Sequence, residues 1–311
     1  MDGPFVLGVD IGGSKVAIAA VTPDGQILAR ASMPTQAERG FDDGVHRILS
    51  LADQVMAQAQ RPRRALQAIG VGCPGPLDPA QGIIDNPYTL PTWEKVDILQ
   101  PLRSHLGVPA ALENDADAAA MGENWLGTGQ GARSVVMVTV GTGIGGAWII
   151  DGQIYRGAGG AHPEMGHQCI DPSGPPCYCG IRGCWESLAS GSAIAASARE
   201  QMPDRALELS GAAAVIALAR AGHPAAQEVI ARAAQAMALG IFTLVNLYVP
   251  DVVVLGGGVM DAYDLFEPAI RHVIERDTMA PTDRIAIRKA SLGNDAGILG
   301  AARIALSLPH H

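Results

Sequence analysis

The chain has 311 residues, 48% of them hydrophobic and 17% charged. That composition excludes a disordered protein, and the length predicts about two domains. Acidic residues outnumber basic ones by 31 to 22, a net charge of −9, and no long basic run offsets it, which excludes nucleic acid and anionic membranes as expected partners. Aromatic residues are only 4%, so Ala, Val, Ile and Leu must build the core.

The first residues, Met1-Asp2-Gly3-Pro4, lead straight into an apolar strand without the basic start and cleavage site of a signal peptide. The longest apolar stretch, 135–150, is broken by Thr139, Thr142 and four glycines, and is too short and too rich in glycine to span a bilayer. A soluble, cytoplasmic protein is expected. His310-His311 reads as a tag remnant.

In chain order, apolar runs predict strands at 5–10, 16–21 and 26–31, with Pro23-Asp24-Gly25 as a hairpin turn. Residues 44–60 have helical spacing, with Val45, Ile48, Leu49, Ala52 and Val55 on one face. A strand at 66–72 ends in Cys73-Pro74-Gly75-Pro76, and a short strand at 108–112 leads through Asn114 into an Ala-rich helix at 115–126. The pattern then restarts. A strand at 134–140, a glycine turn at 141–146, a strand at 147–150 and the turn Asp151-Gly152 repeat the opening order, and Asp-Gly-Gln-Ile occurs at both 24–27 and 151–154. This predicts an internal duplication. Further on, helices at 212–221 and 225–247 are separated by Gly222-His223-Pro224, a buried strand at 252–255 runs into Gly256-Gly257-Gly258, and a strand at 285–288 and a closing helix at 296–308 complete the chain. The boundary is expected near residue 115. A small α/β domain would comprise 1–115 plus about 296–311, and a large one 116–295.

Three glycine turns follow three apolar strands: Asp10-Ile-Gly12-Gly13-Ser14-Lys15, Gly141–Gly146 and Gly256–Gly258. Glycine lets backbone N–H groups approach phosphate oxygens closely. Gly141–Gly146 also fits the G-x-G-x-x-G pattern, but a dinucleotide site requires a helix directly after the turn, and here a strand follows. Ordinary tight hairpins are the plain alternative for any one turn. Three together point to a clamp on phosphates. Asp10 ends a buried strand beside such a turn, where a carboxylate can hold Mg²⁺ directly or through water; a turn Asp bonding its own backbone is the alternative. In Glu113-Asn114-Asp115-Ala116-Asp117, Asn114 is a good helix N-cap. The helix N-terminus keeps Asp115 ionised, so it can take the proton of a substrate hydroxyl during phosphoryl transfer, or merely stabilise the helix.

The strongest local signal is His162-Pro-Glu164-Met-Gly-His167 followed by Cys177-Tyr-Cys179-Gly-Ile-Arg-Gly-Cys184-Trp-Glu186. His167 with Cys177, Cys179 and Cys184 forms a closed tetrahedral zinc set with no open position for catalytic water. Cys169 competes for a ligand place; His167 is preferred because Cys169 lies in an apolar run with Ile170. The metal would fix the loop that carries Glu164 and Glu186, whose carboxylates can accept hydrogen bonds from sugar hydroxyls. Cys73 reads as a buried small residue.

Together these motifs resemble the ROK family, the sugar kinases and related repressors with a duplicated ribonuclease-H-like, actin-like ATPase fold of two domains around a cleft. The resemblance covers nearly the whole chain. Asp10–Lys15 resembles the family's Asp-x-Gly-Gly-Thr-Lys phosphate motif with Ser14 in place of Thr, which implies ATP contacts from Asp10, Gly12, Gly13, Ser14 and Lys15. Gly141–Gly146 is similar to the second phosphate loop, implying Thr142 and Gly143, and Gly256, Gly257 and Gly258 resemble the turn beside adenosine. Pro74-Gly75-Pro76 implies Gly75 at the sugar. Glu113–Ala116 implies Asn114 as a sugar contact and Asp115 as general base. Glu-x-Gly-His implies Glu164 and His167 at the sugar, and Cys-x-Cys-Gly-x-x-Gly-Cys-x-Glu implies the three cysteine ligands and Glu186 as a sugar contact. The implied cofactors are ATP, Mg²⁺ and a structural Zn²⁺.

The cysteine motif and Trp185-Glu186 are glucokinase-like, whereas His162-Pro163 resembles the fructokinase branch. The resulting expectation is 6-phosphorylation of a hexose, glucose first, with fructose or an N-acetylhexosamine (mannosamine or glucosamine) as alternatives, ATP or polyphosphate as donor, and a homodimer. A sugar-sensing regulator is the non-enzyme alternative; only four residues precede the first strand, which leaves no room for a helix-turn-helix.

Overall fold

The computed structural model describes residues 3–309. The chain divides into two compact units, one running to Gly131 and completed by the residues from Ser291 onward, the other Ala132–Ala290. His310-His311, read from the sequence as a tag remnant, lie outside the described residues. The boundary expected near residue 115 falls instead after the Ala-rich helix, because that helix packs against the C-terminal one within the first unit.

The first unit is built on β1 (Phe5–Ile11), β2 (Lys15–Val21), β3 (Ile27–Pro34), α1 (Phe41–Gln58) and β4 (Leu66–Cys73). A three-stranded sheet of two-residue strands follows, β5 (Leu77–Asp78), β6 (Ile83–Ile84) and β7 (Val96–Asp97), then α2 (Leu99–Leu106), β8 (Ala110–Asn114) and α3 (Asp115–Leu126). Its main sheet has the order β3-β2-β1-β4-β8. β1 is antiparallel to β2 and parallel to β4, which is parallel to β8.

β1 is apolar on both faces because both are covered. Phe5, Leu7, Val9 and Ile11 share a core with Val45, Ile48, Ala52 and Val55 of α1. Val6 joins the core formed with Ile298, Leu299, Ala302 and Ala305 near the C-terminus. Gly8 and Gly70 also lie on that second face, where a side chain would overlap the backbone at Ile298 and Ala301.

The second unit repeats the plan with β9 (Ser134–Val140), β10 (Ile144–Ile150), β11 (Gln153–Ile154), α4 (Trp185–Ala189), α5 (Gly191–Gln201), α6 (Ala212–Arg220), α7 (Pro224–Tyr248), β12 (Val252–Gly256), α8 (Tyr263–Ile274) and β13 (Ala286–Lys289). Its sheet order is β11-β10-β9-β12-β13, with the same antiparallel and parallel pairings as the first. The two Asp-Gly-Gln-Ile copies occupy equivalent turns between the second and third strands, where Gly25 and Gly152 have φ of 90° and 74°, a conformation that glycine adopts without steric cost.

The glycine turn expected at 141–146 is narrower: Ile144, Gly145 and Gly146 are already paired in β10. α7 is long and apolar enough, by length and composition, to cross a membrane. Its Ile230, Met237, Ile241 and Leu244 are instead buried in the unit's own core, and Pro224 begins it as an N-terminal helix residue should. α9 (Ala296–Leu306) is the last regular element among the described residues and belongs to the first unit.

Candidate functional site

Asp10, Cys73 and Asn114 lie at the carboxyl ends of the adjacent parallel strands β1, β4 and β8, with Asp10 opposite Gly72 and Cys73 opposite Asn114. In open α/β sheets this edge is where ligands bind. Asn114 caps α3: its Oδ1 accepts from the N–H groups of Ala116 at 2.9 Å and Asp117 at 3.4 Å. The cap leaves Asp115 exposed as the first helical residue. One Asp115 carboxylate oxygen accepts the Ala116 N–H at 2.9 Å. Burial pushes the Asp10 carboxyl up to about 6, the charge of Asp115 adds to that rise, and Lys15 opposes it. The two carboxylates therefore sense one another. Gly75 stands beside Asn114, whose Nδ2 lies 3.6 Å from where a Cβ on Gly75 would be.

The Gly12–Lys15 turn is closed by the Gly12 N–H on the Lys15 carbonyl at 2.8 Å. Thr35, buried and directly after β3, holds it: its hydroxyl donates to the Gly12 carbonyl at 2.6 Å and its N–H to the Ser14 carbonyl at 3.0 Å. Thr89 packs against Gly13. Asn86, fully buried, donates to the Pro74 carbonyl at 3.1 Å and the Thr89 hydroxyl at 2.7 Å, and accepts from the N–H groups of Tyr88 and Thr89. One buried amide thus ties the Pro74–Pro76 turn to the loop that touches the Gly12–Lys15 turn. The sequence reading missed Thr35, Asn86 and Thr89. Asn86-Pro87 is a turn signal, but it says nothing of burial.

In the second unit, the Gly141 N–H donates to the Gly143 carbonyl at 2.9 Å, and the carbonyls of Gly141 and Thr142 accept from Gly191 and Ser192 at the start of α5. Thr142 is exposed. Gly256 pairs with Thr139 on β9, so the turn through Gly257 and Gly258 leaves the sheet beside Gly141–Gly143. These two glycine turns form one group.

His167, Cys177, Cys179 and Cys184 form a second group in this unit, with all four ligand atoms within 4.8 Å of one another. Cys177 Sγ lies 3.5 Å from His167 Nδ1, and Cys179 Sγ 3.5 Å from Cys184 Sγ. A tetrahedral zinc site with bonds of about 2.0–2.3 Å has edges of roughly 3.3–3.8 Å, so the donor set is compatible with zinc. The Tyr178 hydroxyl lies 3.0 Å from His167 Nε2, a second contact that orients the ring. Cys169 stands outside the set, but not through burial as its apolar neighbours suggest: it is exposed, with Sγ 3.2 Å from the Arg182 carbonyl. Glu164 is exposed, 3.5 Å from His162 Nε2. Glu186, expected only as a hydroxyl acceptor, also accepts the Ile144 N–H at 2.8 Å.

A duplicated sheet with a glycine turn after the first strand of each copy defines the class of the ribonuclease-H-like, actin-like phosphotransferases. Comparison with known proteins gives the family. The ROK family model matches residues 6–307. A glucokinase of Thermotoga maritima is 33% identical over 310 residues, covering 96% of each chain. N-acetylmannosamine kinases of Salmonella are 32% identical over 301 residues, covering 96% of this chain and 97% of theirs. Among solved structures, a ROK hexokinase from Thermus thermophilus has a TM-score of 0.82 at 34% identity, covering 97% of this chain and 98% of its own. A ROK family glucokinase from Streptomyces griseus, in complex with glucose and AMPPNP, has a TM-score of 0.79 at 30% identity, covering 98% and 100%. The chain belongs to the ROK family, and its relatives, matched along almost their whole lengths, put it among that family's sugar kinases.

Proposed function

We propose that this protein transfers the terminal phosphoryl group of ATP to the 6-hydroxyl of a hexose, with glucose as the first candidate. The carboxylate pair carries the reading: Asp115 opens α3 exposed and capped by Asn114, within electrostatic reach of half-buried Asp10 and at the strand ends that also bear Gly75. Asp115 takes the proton of the sugar hydroxyl as the new O–P bond forms. Asn114, Gly75, Glu164, His167 and Glu186 orient the sugar. Backbone N–H groups of Gly12, Gly13, Ser14 and Lys15, and of Thr142 and Gly143, hold donor phosphates, with Gly256, Gly257 and Gly258 toward adenosine.

Two carboxylates that repel, one of them half-buried, form a donor set that a divalent cation would relieve. Mg²⁺ bound beside Asp10 would neutralise charge on the phosphates. The His167–Cys184 cluster would hold a structural Zn²⁺. In the cell we place the protein in the cytoplasm, away from nucleic acid and membranes because of its net negative charge, as a homodimer through exposed residues of α7 such as Leu239 and Leu247. Light scattering tests the dimer.

Fructose is the second reading, favoured by His162-Pro163 before Glu164, which resembles the fructokinase branch; N-acetylmannosamine is the other alternative, supported by kinases 32% identical to this chain. The deciding measurement is ADP formation with glucose, fructose, mannose, N-acetylglucosamine and N-acetylmannosamine, each with ATP and with polyphosphate. Sugar binding with no product from any combination would overturn the kinase reading in favour of a sensor.

A further inference from the structure

We propose that Gly297, in the first turn of α9, is a positioning residue that sets the direction of the Asp10 carboxylate. This rests on the reading of Asp10 as the group beside the divalent cation. A Cβ on Gly297 would lie 2.8 Å from Asp10 Cγ and 2.9 and 3.0 Å from its two oxygens, inside ordinary nonbonded separation. With a side chain there, α9, β1 or the Asp10 side chain must give way.

α9 is held on three sides. A side chain on Gly300 would overlap the Ala118 carbonyl, so α9 and α3 already meet backbone to backbone. Gly8 and Gly70 stand in the same relation to the Ile298 and Ala301 carbonyls on the sheet side. Upstream, buried Glu123 on α3 accepts the Ser291 N–H at 2.9 Å and the Leu292 N–H at 2.8 Å, and so fixes where the chain enters α9. β1 is paired on both edges, with β2 and β4. The remaining freedom is the two side-chain torsions of Asp10. A methyl group at 297 therefore turns the carboxylate while leaving the backbone in place.

This predicts an unusual separation of effects. Ala is a better helix former than Gly, so Gly297→Ala should keep or raise Tm. The misdirected carboxylate should lower kcat by roughly 10- to 100-fold. It should also shrink the gain in affinity that Mg²⁺ gives to a non-hydrolysable ATP analogue, measured by calorimetry with and without the ion. Asp10→Ala removes the group that the methyl strikes, so in that background Gly297→Ala should leave residual kcat unchanged and still not lower Tm. Wild-type kcat and wild-type Mg²⁺ dependence in Gly297→Ala would overturn the proposal, as would a Tm loss of several degrees, since the helix would then be what yields. If Asp10→Ala itself keeps full activity and Mg²⁺ dependence, the reading of Asp10 fails first, and the proposal with it.

Discussion

Glu186 and Ile144 are joined by a hydrogen bond of 2.8 Å from the backbone N–H of one to the carboxylate of the other. Glu186 stands two residues after Cys184, and Ile144 directly follows the glycine turn Gly141–Gly143, so this bond links the His167–Cys184 cluster to the glycine turn between β9 and β10. Glu186→Gln retains an oxygen acceptor for Ile144 and loses the charge. It should leave Tm within a few degrees and raise the sugar KM by roughly tenfold, because hydrogen bonds to charged groups are worth about 1.5–3 kcal/mol against about 1 for neutral ones. Stripping metal with a strong chelator, by contrast, should lower both Tm and activity, because the loop that carries Glu186 loses its anchor. A chelated enzyme with unchanged Tm and kinetics would refute the structural role of the cluster.

Asp115 should separate chemistry from binding. Asp115→Ala removes the proton acceptor while Asn114 still caps α3 through Ala116 and Asp117. Loss of a general base costs on the order of 10²–10⁴ in rate, so kcat should fall by that amount while sugar affinity, measured by calorimetry, stays within about tenfold. A variant with full turnover would remove Asp115 from the mechanism.

Asp10 should make the protein less stable as pH rises through its titration range. Its carboxyl is raised from 3.8 to about 6 by burial first and by Asp115 second. Between roughly pH 4 and 6 the unfolded chain has released this proton while the folded chain still holds it. Unfolding free energy therefore declines across that window and is level above it. Asp10→Asn abolishes the effect. In metal-free buffer the variant should be the more stable form at pH 7 by up to about 3 kcal/mol, at 1.36 kcal/mol per pKa unit, and the advantage should vanish below about pH 4. Parallel denaturation curves at pH 4 and 7 read this directly; an equal difference at both would show that burial does not set the titration of Asp10.

The duplication was legible because both copies use long apolar strands bounded by glycine turns, and α3 and β9 have the limits that the pattern predicts. β5, β6 and β7 were not, since two-residue strands are too short to show a period. α2 and α4 were missed because eight and five residues give too few turns for a stripe to declare itself; α5 and α8 were missed as well, α5 because Gly, Ser and Ala dominate its first turns and α8 because Pro268 interrupts its pattern. The gathering of His167 with Cys177, Cys179 and Cys184 was legible because three cysteines in eight residues have few other uses. The exposure of Cys169 could not, because local apolarity does not decide which side of a loop faces solvent. Gly297 shows the same limit. In the sequence it is one glycine in an apolar helix, and only the approach of Asp10 from a strand 287 positions away explains the missing side chain.

Asn86 offers a test of how far the buried framework governs the site. It has no exposed surface, and its amide makes four hydrogen bonds, two donated and two accepted. Asn86→Ala would remove the partner of the Pro74 carbonyl, the Thr89 hydroxyl and the N–H groups of Tyr88 and Thr89. Tyr88 and Thr89 are exposed, so each lost hydrogen bond is worth about 0.5–1.5 kcal/mol, and a total loss of roughly 2–4 kcal/mol in urea unfolding is expected. Thr89 would lose its hydroxyl partner and its hold beside Gly13, so kcat/KM should drop even at temperatures where the variant is fully folded. Asn86→Asp keeps an acceptor for the two N–H groups but cannot donate to the Pro74 carbonyl. If that contact matters more than the local turn, Asn86→Asp should lose as much activity as Asn86→Ala. Full activity in both variants would mean that the loop can reach its place against Gly13 without the amide.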